Sequence, residues 1–427
     1  MKQRVVVTGL GVVSGLGCGW EAFWTSLLAG KSTIRRWQPM EADNFPVQYA
    51  APIDIDTFEQ EFSAVSALRQ PMERRSRFGL IAAHQAVIDA GLDIHRTQAG
   101  VAVGSGVPER CTADMMLALG DDGPAWERLY ARRDKLHSAL RHGNDHLSAL
   151  IALEHDCRGP VMNFSTACAG AAHAIGTSFR MIRRGEIDCM VAGGADSVLN
   201  LLTMVGLNLL GAPSTSENHG DQLCRPFDID RSGFVAAEGA GMVVLESEQH
   251  AKRRGARIYA EVCGFGSSLD AYRITAPHPE GAGAALAMQK ALTDAELAPQ
   301  AIGYINAHGT STFLNDTAET KAIKSVFAQD QHYRKLVVNA NKSQIGHFIA
   351  AAGAPEFIAT ALALKCGQVP PTLNLHNPDP ECDLDYVPHQ SRSLPLRAAL
   401  TNSFGFGGLN ACLALRRYQE MPQESQA

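Results

Sequence analysis

Hydrophobic positions recur along this chain in two alternating rhythms. Apolar, β-branched runs with the character of strands lie at Arg4 to Val13, at Ile258 to Gly266 and at Ile302-Gly303-Tyr304-Ile305. Between them, apolar residues return at helical spacing. From about Arg74 to Ala90 the repeating positions are Phe78, Ile81, Ala82, Val87 and Ile88, and Gly91 follows as a residue suited to ending a helix. A second helical pattern runs from Ala174 to Ile182, and a third opens at Phe348-Ile349-Ala350-Ala351-Ala352-Gly353 and reaches about Lys365. Strands alternating with helices predict layered α/β units.

The pattern is also duplicated. The strand at Arg4 to Val13 is echoed by the one at Ile258 to Gly266, and each half later places a reactive side chain at the start of a small-residue helix. Cys168 precedes Gly185 by 17 residues, and His347 precedes Gly367 by 20. The divide falls near residues 250 to 257, where Gln249 to Gly255 reads as a solvated helix end. No low-complexity linker marks it, so the expected halves, 1–253 and 254–417, share one core, with 418–427 as a disordered tail.

A chain of 427 residues with 45% hydrophobic content can bury a large core. Its ten cysteines lack paired metal spacing, so no metal is expected. No signal peptide or membrane-spanning run stands out, which places the protein in the reducing cytoplasm and away from membranes. The formal net charge of −6 argues against nucleic-acid binding. Gly9-Leu10-Gly11 after a strand suggests a dinucleotide turn, but the third fingerprint position is Ser14, and no acidic residue about 20 positions on closes a second strand. A core strand and turn is the better reading, and no cofactor is expected.

Candidate chemistry lies in three separated segments. Cys168 sits in Asn163-Phe164-Ser165-Thr166-Ala167-Cys168-Ala169-Gly170, where an extended run meets a helix start; unpaired N–H groups and the helix dipole there favour a thiolate nucleophile. The second segment is Asn306-Ala307-His308-Gly309-Thr310-Ser311-Thr312, just after a strand, so His308 should project from a strand end. The third, Asn341-Lys342-Ser343-Gln344-Ile345-Gly346-His347, puts His347 at a helix start.

In this order, and together with Val191-Ala192-Gly193-Gly194-Ala195, Arg225-Pro226-Phe227-Asp228 and Asn402-Ser403-Phe404-Gly405-Phe406-Gly407-Gly408, these segments resemble the β-ketoacyl-acyl-carrier-protein synthases, the condensing enzymes of fatty-acid and polyketide synthesis. The similarity is to the type II elongating branch with a Cys-His-His site. It implies the thiolase fold, an αβαβα sandwich of two pseudo-equivalent halves, and decarboxylative Claisen condensation of an acyl thioester on Cys168 with a malonyl carrier. His308 and His347, as neutral imidazoles, would donate N–H bonds to the enolate; a positive helix end at His347 would help keep it neutral.

Further residues take roles only through that resemblance. Lys342 would organise the histidines with Glu319, three residues after Asp316. Phe404 would be the gate beside the cysteine, its N–H completing an oxyanion hole with that of Cys168. Thr310 and Thr312 would contact the phosphopantetheine arm, which the acyl carrier protein brings, although such hydroxyls also cap backbone. Leu207 falls where the long-chain enzyme has a Phe lining the acyl pocket. Arg74, Arg75 and Arg77 are candidates for docking an acidic carrier, against the plainer reading of a solvated helix end. Phe313, Leu409 and Asn339-Ala340-Asn341 depart from the family's usual residues, and Trp126 to Arg141 is unusually rich in Arg. The resemblance also implies a homodimer, or a heterodimer with a chain-length-factor-like subunit. Two alternatives remain: a chain-length factor, which usually lacks the nucleophile, and a thiolase, which needs a second catalytic cysteine that Cys366 and Cys382 do not match.

Overall fold

The apolar runs become ten principal strands. In chain order they are β1 (Val5–Ser14), β2 (Gly100–Gly104), β3 (Val161–Phe164), β4 (Cys189–Ser197), β5 (Glu238–Ser247), β6 (Ala260–Leu269), β7 (Tyr304–Asn306), β8 (Val337–Asn339), β9 (Ala398–Gly405) and β10 (Leu409–Arg416). The principal helices are α1 (Arg74–Ala90), α2 (Gly170–Arg183), α3 (Leu201–Leu209), α4 (Ala282–Ala295), α5 (Phe313–Val326) and α6 (Gly353–Cys366). The structure is a computed structural model that describes residues 2–37, 45–54, 65, 72–93, 98–106 and 143–420. The Arg-rich stretch from 126 to 141 lies outside the described residues, as does the tail from 421 on. Tyr418 is described and donates its hydroxyl to Glu248.

The strand order is β8-β7-β9-β10-β6-β1-β5-β4-β2-β3. Counting outward from the centre, one half runs 1, 5, 4, 2, 3 and the other 6, 10, 9, 7, 8, so each strand of the first half has its counterpart five places on. The pairing senses repeat as well. β1–β5 and β4–β5 are antiparallel while β2–β4 and β2–β3 are parallel; β6–β10 and β9–β10 are antiparallel while β7–β9 and β7–β8 are parallel. The halves join where β1 meets β6 over Val5↔Val262, Val6↔Glu261 and Val7↔Ala260.

Side-chain alternation along the strands separates the layers. Val101 and Val103 of β2 and Val191 of β4 face one outer core with α1, and the intervening Ala102 and Ala192 face the central core. That central layer holds α2 and α6, with Ile175, Phe179, Phe357 and Leu362 packed between the two halves. The second outer core gathers Met288 and Leu292 of α4 and Ile323 of α5 against Ile305, Val338 and Leu400. The result is helix, sheet, helix, sheet, helix.

Several sequence expectations meet their physical reasons here. Gly91 ends α1 at φ 59 with its N–H on the Ile88 carbonyl, although Ile88 itself is exposed rather than in the core. Gly9 and Gly11 serve packing instead of a phosphate: a Cβ at either would stand about 2 Å from the Ala86 or Ala82 carbonyl of α1. The apolar run from Phe348 does not begin one long helix. A 3₁₀ turn spans Ile349–Ala351 with Ile349 at φ 49, and α6 starts only at Gly353. Contrary to the sequence reading, Ile349–Cys366 is apolar enough to cross a membrane, with mean hydropathy 1.4 over 18 residues; it is 89% buried in the central layer.

Candidate functional site

Cys168 stands where the edge strand β3 turns into the central helix α2. Ala167 takes φ 44, a left-handed conformation unusual for a residue with a Cβ, and a 3₁₀ turn over Ala167–Ala169 leads into Gly170. This sharp turn carries the thiol inward, where it is almost fully buried beside Phe234, Met204 and Ile349, with Leu207 of α3 and Phe406 packed on the same apolar cluster. Burial has a chemical consequence that the helix-start reading did not foresee. It pushes the Cys168 thiol up to about 11, against the lowering effects of the Lys342 charge and of the Phe406 backbone N–H.

His308 follows β7 by two residues, as expected from the strand before it. Its loop is held from below by Glu319 of α5, whose carboxylate accepts the N–H groups of His308 and Gly309 at 2.9 Å each and the Asn402 side chain at 3.1 Å. Asp316, one turn earlier and also buried, accepts the N–H groups of Thr310 and Phe227. His347 enters from the connection between β8 and α6, in the same half as His308, its backbone clamped by Val235 and Ala237 of the first half. The Sγ of Cys168 and ring nitrogens of His308 and His347 all lie within 4.8 Å of one another. The two imidazoles meet edge to face at 5.4 Å.

The protonation state of each ring follows from its neighbours. Burial first, and then the Lys342 charge, hold both histidines well below their ordinary value, so both are neutral. The helix dipole is not the cause at His347, because α6 begins six residues later and the dipole acts only over the first turn. The Nδ1 of His347 accepts the Ile349 N–H at 3.1 Å. The Nδ1 of His308 faces the Lys342 ammonium at 3.3 Å, and an ammonium only donates. Each neutral ring therefore carries its proton on Nε2.

Lys342 does not pair with Glu319. Its ammonium reaches the Glu356 carboxylate at 2.5 Å and the His308 carbonyl at 2.6 Å, because Glu319 is already occupied by the backbone of the His308 loop. Glu356 is a residue the sequence reading missed, although a lone carboxylate in the apolar start of α6 was a signal for it. Burial pushes it up to about 7, opposed by Lys342. Asp196 was missed as well: it accepts the Ala350 N–H at 3.1 Å, tying the His347 turn to β4, and burial pushes it up to about 6.

The two phenylalanines of the glycine-rich segment exchange roles relative to the expectation. Phe404 is buried with its ring against His308 at 5.9 Å, whereas Phe406 lies beside Cys168 and directs its backbone N–H to the thiol. The reason is the pleat of β9 and the close approach of the next turn: a Cβ on Gly405 would come within 2.9 Å of the Cys168 nitrogen. Both rings line a cavity of about 520 Å³ that contains the Cys-His-His cluster at its buried end and the exposed Ile274, Phe313 and Leu314 at its mouth. Thr310 and Thr312 line it too; their hydroxyls bond each other at 2.8 Å, and Thr312 also caps α5.

The candidate docking arginines are tied into the fold. Arg75 is buried, bonded to Glu73 at 2.5 Å and Ser105 at 2.7 Å. Arg74 reaches Glu238 at 2.5 Å and the Ile53 carbonyl at 2.9 Å. Arg77 is half-buried on the same helix.

A duplicated five-strand unit with a cysteine on a strained turn and two neutral histidines around one cavity defines a thiolase-like condensing enzyme. Comparison with known proteins narrows the class. The model for the beta-ketoacyl synthase N-terminal domain matches residues 2–251, and that for the C-terminal domain matches residues 259–376. The chain belongs to the beta-ketoacyl synthase family, whose members are condensing acyltransferases. It is 40% identical to 3-oxoacyl-[acyl-carrier-protein] synthase 2 of Coxiella burnetii, over 97% of this chain and 99% of that one, and 37% identical to the protein of the same name from Staphylococcus aureus, over 98% and 99%. Among solved structures, a type II polyketide ketosynthase complex with its acyl-carrier protein, bound to a hexaketide, matches with TM-score 0.84 at 33% identity, covering 98% of this chain and 100% of that one. The ishigamide ketosynthase/chain length factor matches with TM-score 0.82 at 34% identity and the same coverage.

Proposed function

We propose that this chain is an elongating β-ketoacyl-acyl-carrier-protein synthase whose nucleophile is Cys168 and whose enolate is held by His308 and His347. The observation that supports it most is the convergence of one thiol and two Nε2–H donors at the buried end of a single cavity. In acyl transfer, the Cys168 sulfur bonds to the acyl carbon, the carrier's carbon–sulfur bond breaks, and the thiol proton ends on the departing carrier sulfur. The N–H groups of Cys168 and Phe406 accommodate the tetrahedral oxyanion. In the second stage malonyl thioester loses carbon dioxide, and the electron pair left behind forms an enolate whose oxygen accepts both Nε2–H bonds. The enolate carbon attacks the Cys168 thioester, a carbon–carbon bond forms, and the cysteine sulfur leaves.

Lys342 acts as a positioning residue, with Glu356 fixing its ammonium and Glu319 and Asp316 fixing the loop of His308, Thr310 and Thr312. The two threonines lie where the phosphopantetheine arm of an acyl carrier protein would run, and Leu207 borders the acyl end. The thiolase alternative loses support from the cysteines: Cys366 is exposed at the end of α6, Cys382 sits in the outer core, and neither lines the cavity. A chain-length factor has no need of the intact cluster. The chain acts as a dimer, with a copy of itself or a chain-length-factor-like partner; among the described residues β3 is paired on one side only, and its Val161 is 45% exposed. Nine described cysteines carry free thiols, which suits the cytoplasm.

The test is the intact mass of the wild type and Cys168→Ala after incubation with acyl-carrier-protein thioesters of graded length. A mass gain by one acyl group in the wild type alone is expected; equal gain in the variant would remove Cys168 from its role.

A further inference from the structure

One thiol beside two imidazoles is also the ligand set of a transition-metal site. Among the described residues this is the one such cluster, with its donor atoms within 4.8 Å of one another. Tetrahedral bonds near 2.1 Å put ligands about 3.5 Å apart, so a closure of roughly 1 Å would form the site. A catalytic cluster of this composition is open to poisoning by Zn²⁺ unless something prevents it.

The obstacle stands behind the rings. A neutral histidine that gives Nε2 to a metal must carry its proton on Nδ1, and in metalloproteins that N–H meets a carboxylate, a carbonyl or water. Here both Nδ1 atoms meet donors: the Ile349 N–H at 3.1 Å on His347 and the Lys342 ammonium at 3.3 Å on His308. Neither can turn into an acceptor. The Ile349 group is backbone, and the ammonium has no lone pair and spends its other hydrogens on the His308 carbonyl and Glu356. Moving the ring proton to Nδ1 would set N–H against N–H at both histidines.

We infer that Lys342 and the Ile349 N–H keep divalent transition metals out of the Cys168-His308-His347 cluster by holding both rings as Nε2–H tautomers. The same shell that aims two N–H donors into the cavity withdraws the lone pairs a metal would need. Lys342 adds a positive charge beside the site. The inference concerns the ring environments and stands whether or not the condensing reaction proposed above is the right one, so its test reads metal binding and not turnover.

Co²⁺ is the probe, because a tetrahedral thiolate complex absorbs in the visible and shows a sulfur-to-metal charge-transfer band. The full-length wild type, Lys342→Met and Lys342→Met/Glu356→Gln are titrated anaerobically with CoCl₂, each also in the Cys168→Ala background. The double variant removes the buried carboxylate that Lys342→Met leaves without its cation, and circular dichroism checks that each protein is folded. The wild type is expected to show no charge-transfer band, and the folded Lys342 variants, which release His308 while the Ile349 N–H still holds His347, to bind Co²⁺ through Cys168 and His308 about 10–100-fold more tightly, the usual reach of a changed outer shell. The band should vanish with Cys168→Ala. Equal Co²⁺ affinity in wild type and variants, or folded variants that still show no band, would overturn the inference.

Discussion

Each of the three central side chains gets its chemistry from a neighbour that sequence order does not announce. Cys168 is raised by burial and relieved by Lys342 and Phe406, so the free enzyme holds a thiol at neutral pH. Its alkylation by iodoacetamide should rise about tenfold per pH unit toward pH 11, because raising the pH through an elevated value releases the thiolate. A rate that levels off near pH 8 would mean that the helix start outweighs burial after all. His308 and His347, the donors of the proposed reaction, are held neutral in a state that acid disturbs only well below their ordinary range. His308→Ala or His347→Ala should leave the acyl mass gain intact and cut condensation by about 10²–10³-fold, the loss expected for one oxyanion donor. Condensation at the wild-type rate in either variant would end the two-donor model.

At the level of elements, the helices that carry charge near the site use it for support. Arg75 on α1 is the example, since its guanidinium is buried against Glu73 and Ser105. Arg75→Ala should lower stability by about 3–5 kcal/mol, the cost of breaking a buried pair, measured by urea denaturation, and should leave the KM for the carrier unchanged where the variant is folded. A raised KM with unchanged stability would restore it as a docking residue. Helical spacing located α1, α2 and α6 in the sequence because amphipathic period is a local property. The break at Ile349–Ala351 escaped it: those residues are small or apolar on both sides of the turn, and only Asp196, accepting the Ala350 N–H from another strand, makes the irregular backbone worthwhile.

For the whole molecule, the shared central layer of α2 and α6 makes the two halves one packing unit. All four tryptophans lie in the first half, at Trp20, Trp24, Trp37 and Trp126, so their fluorescence reports that half alone. Phe357→Ala, a large-to-small change on α6, should cost about 3–5 kcal/mol and shift the tryptophan transition together with that seen by circular dichroism. A tryptophan transition left in place would show that the halves unfold separately. Sequence alone determined the alternation of strands and helices, the duplication, and the identity of Cys168, His308 and His347, because periodicity and motif are written in neighbouring residues. Only the tertiary structure decided that Lys342 pairs with Glu356 rather than Glu319, that Phe406 rather than Phe404 faces the thiol, and that Arg75 is buried. Those outcomes depend on which partners packing leaves open, as the His308 loop occupies Glu319 and leaves Lys342 to Glu356, and residues distant in sequence decide that.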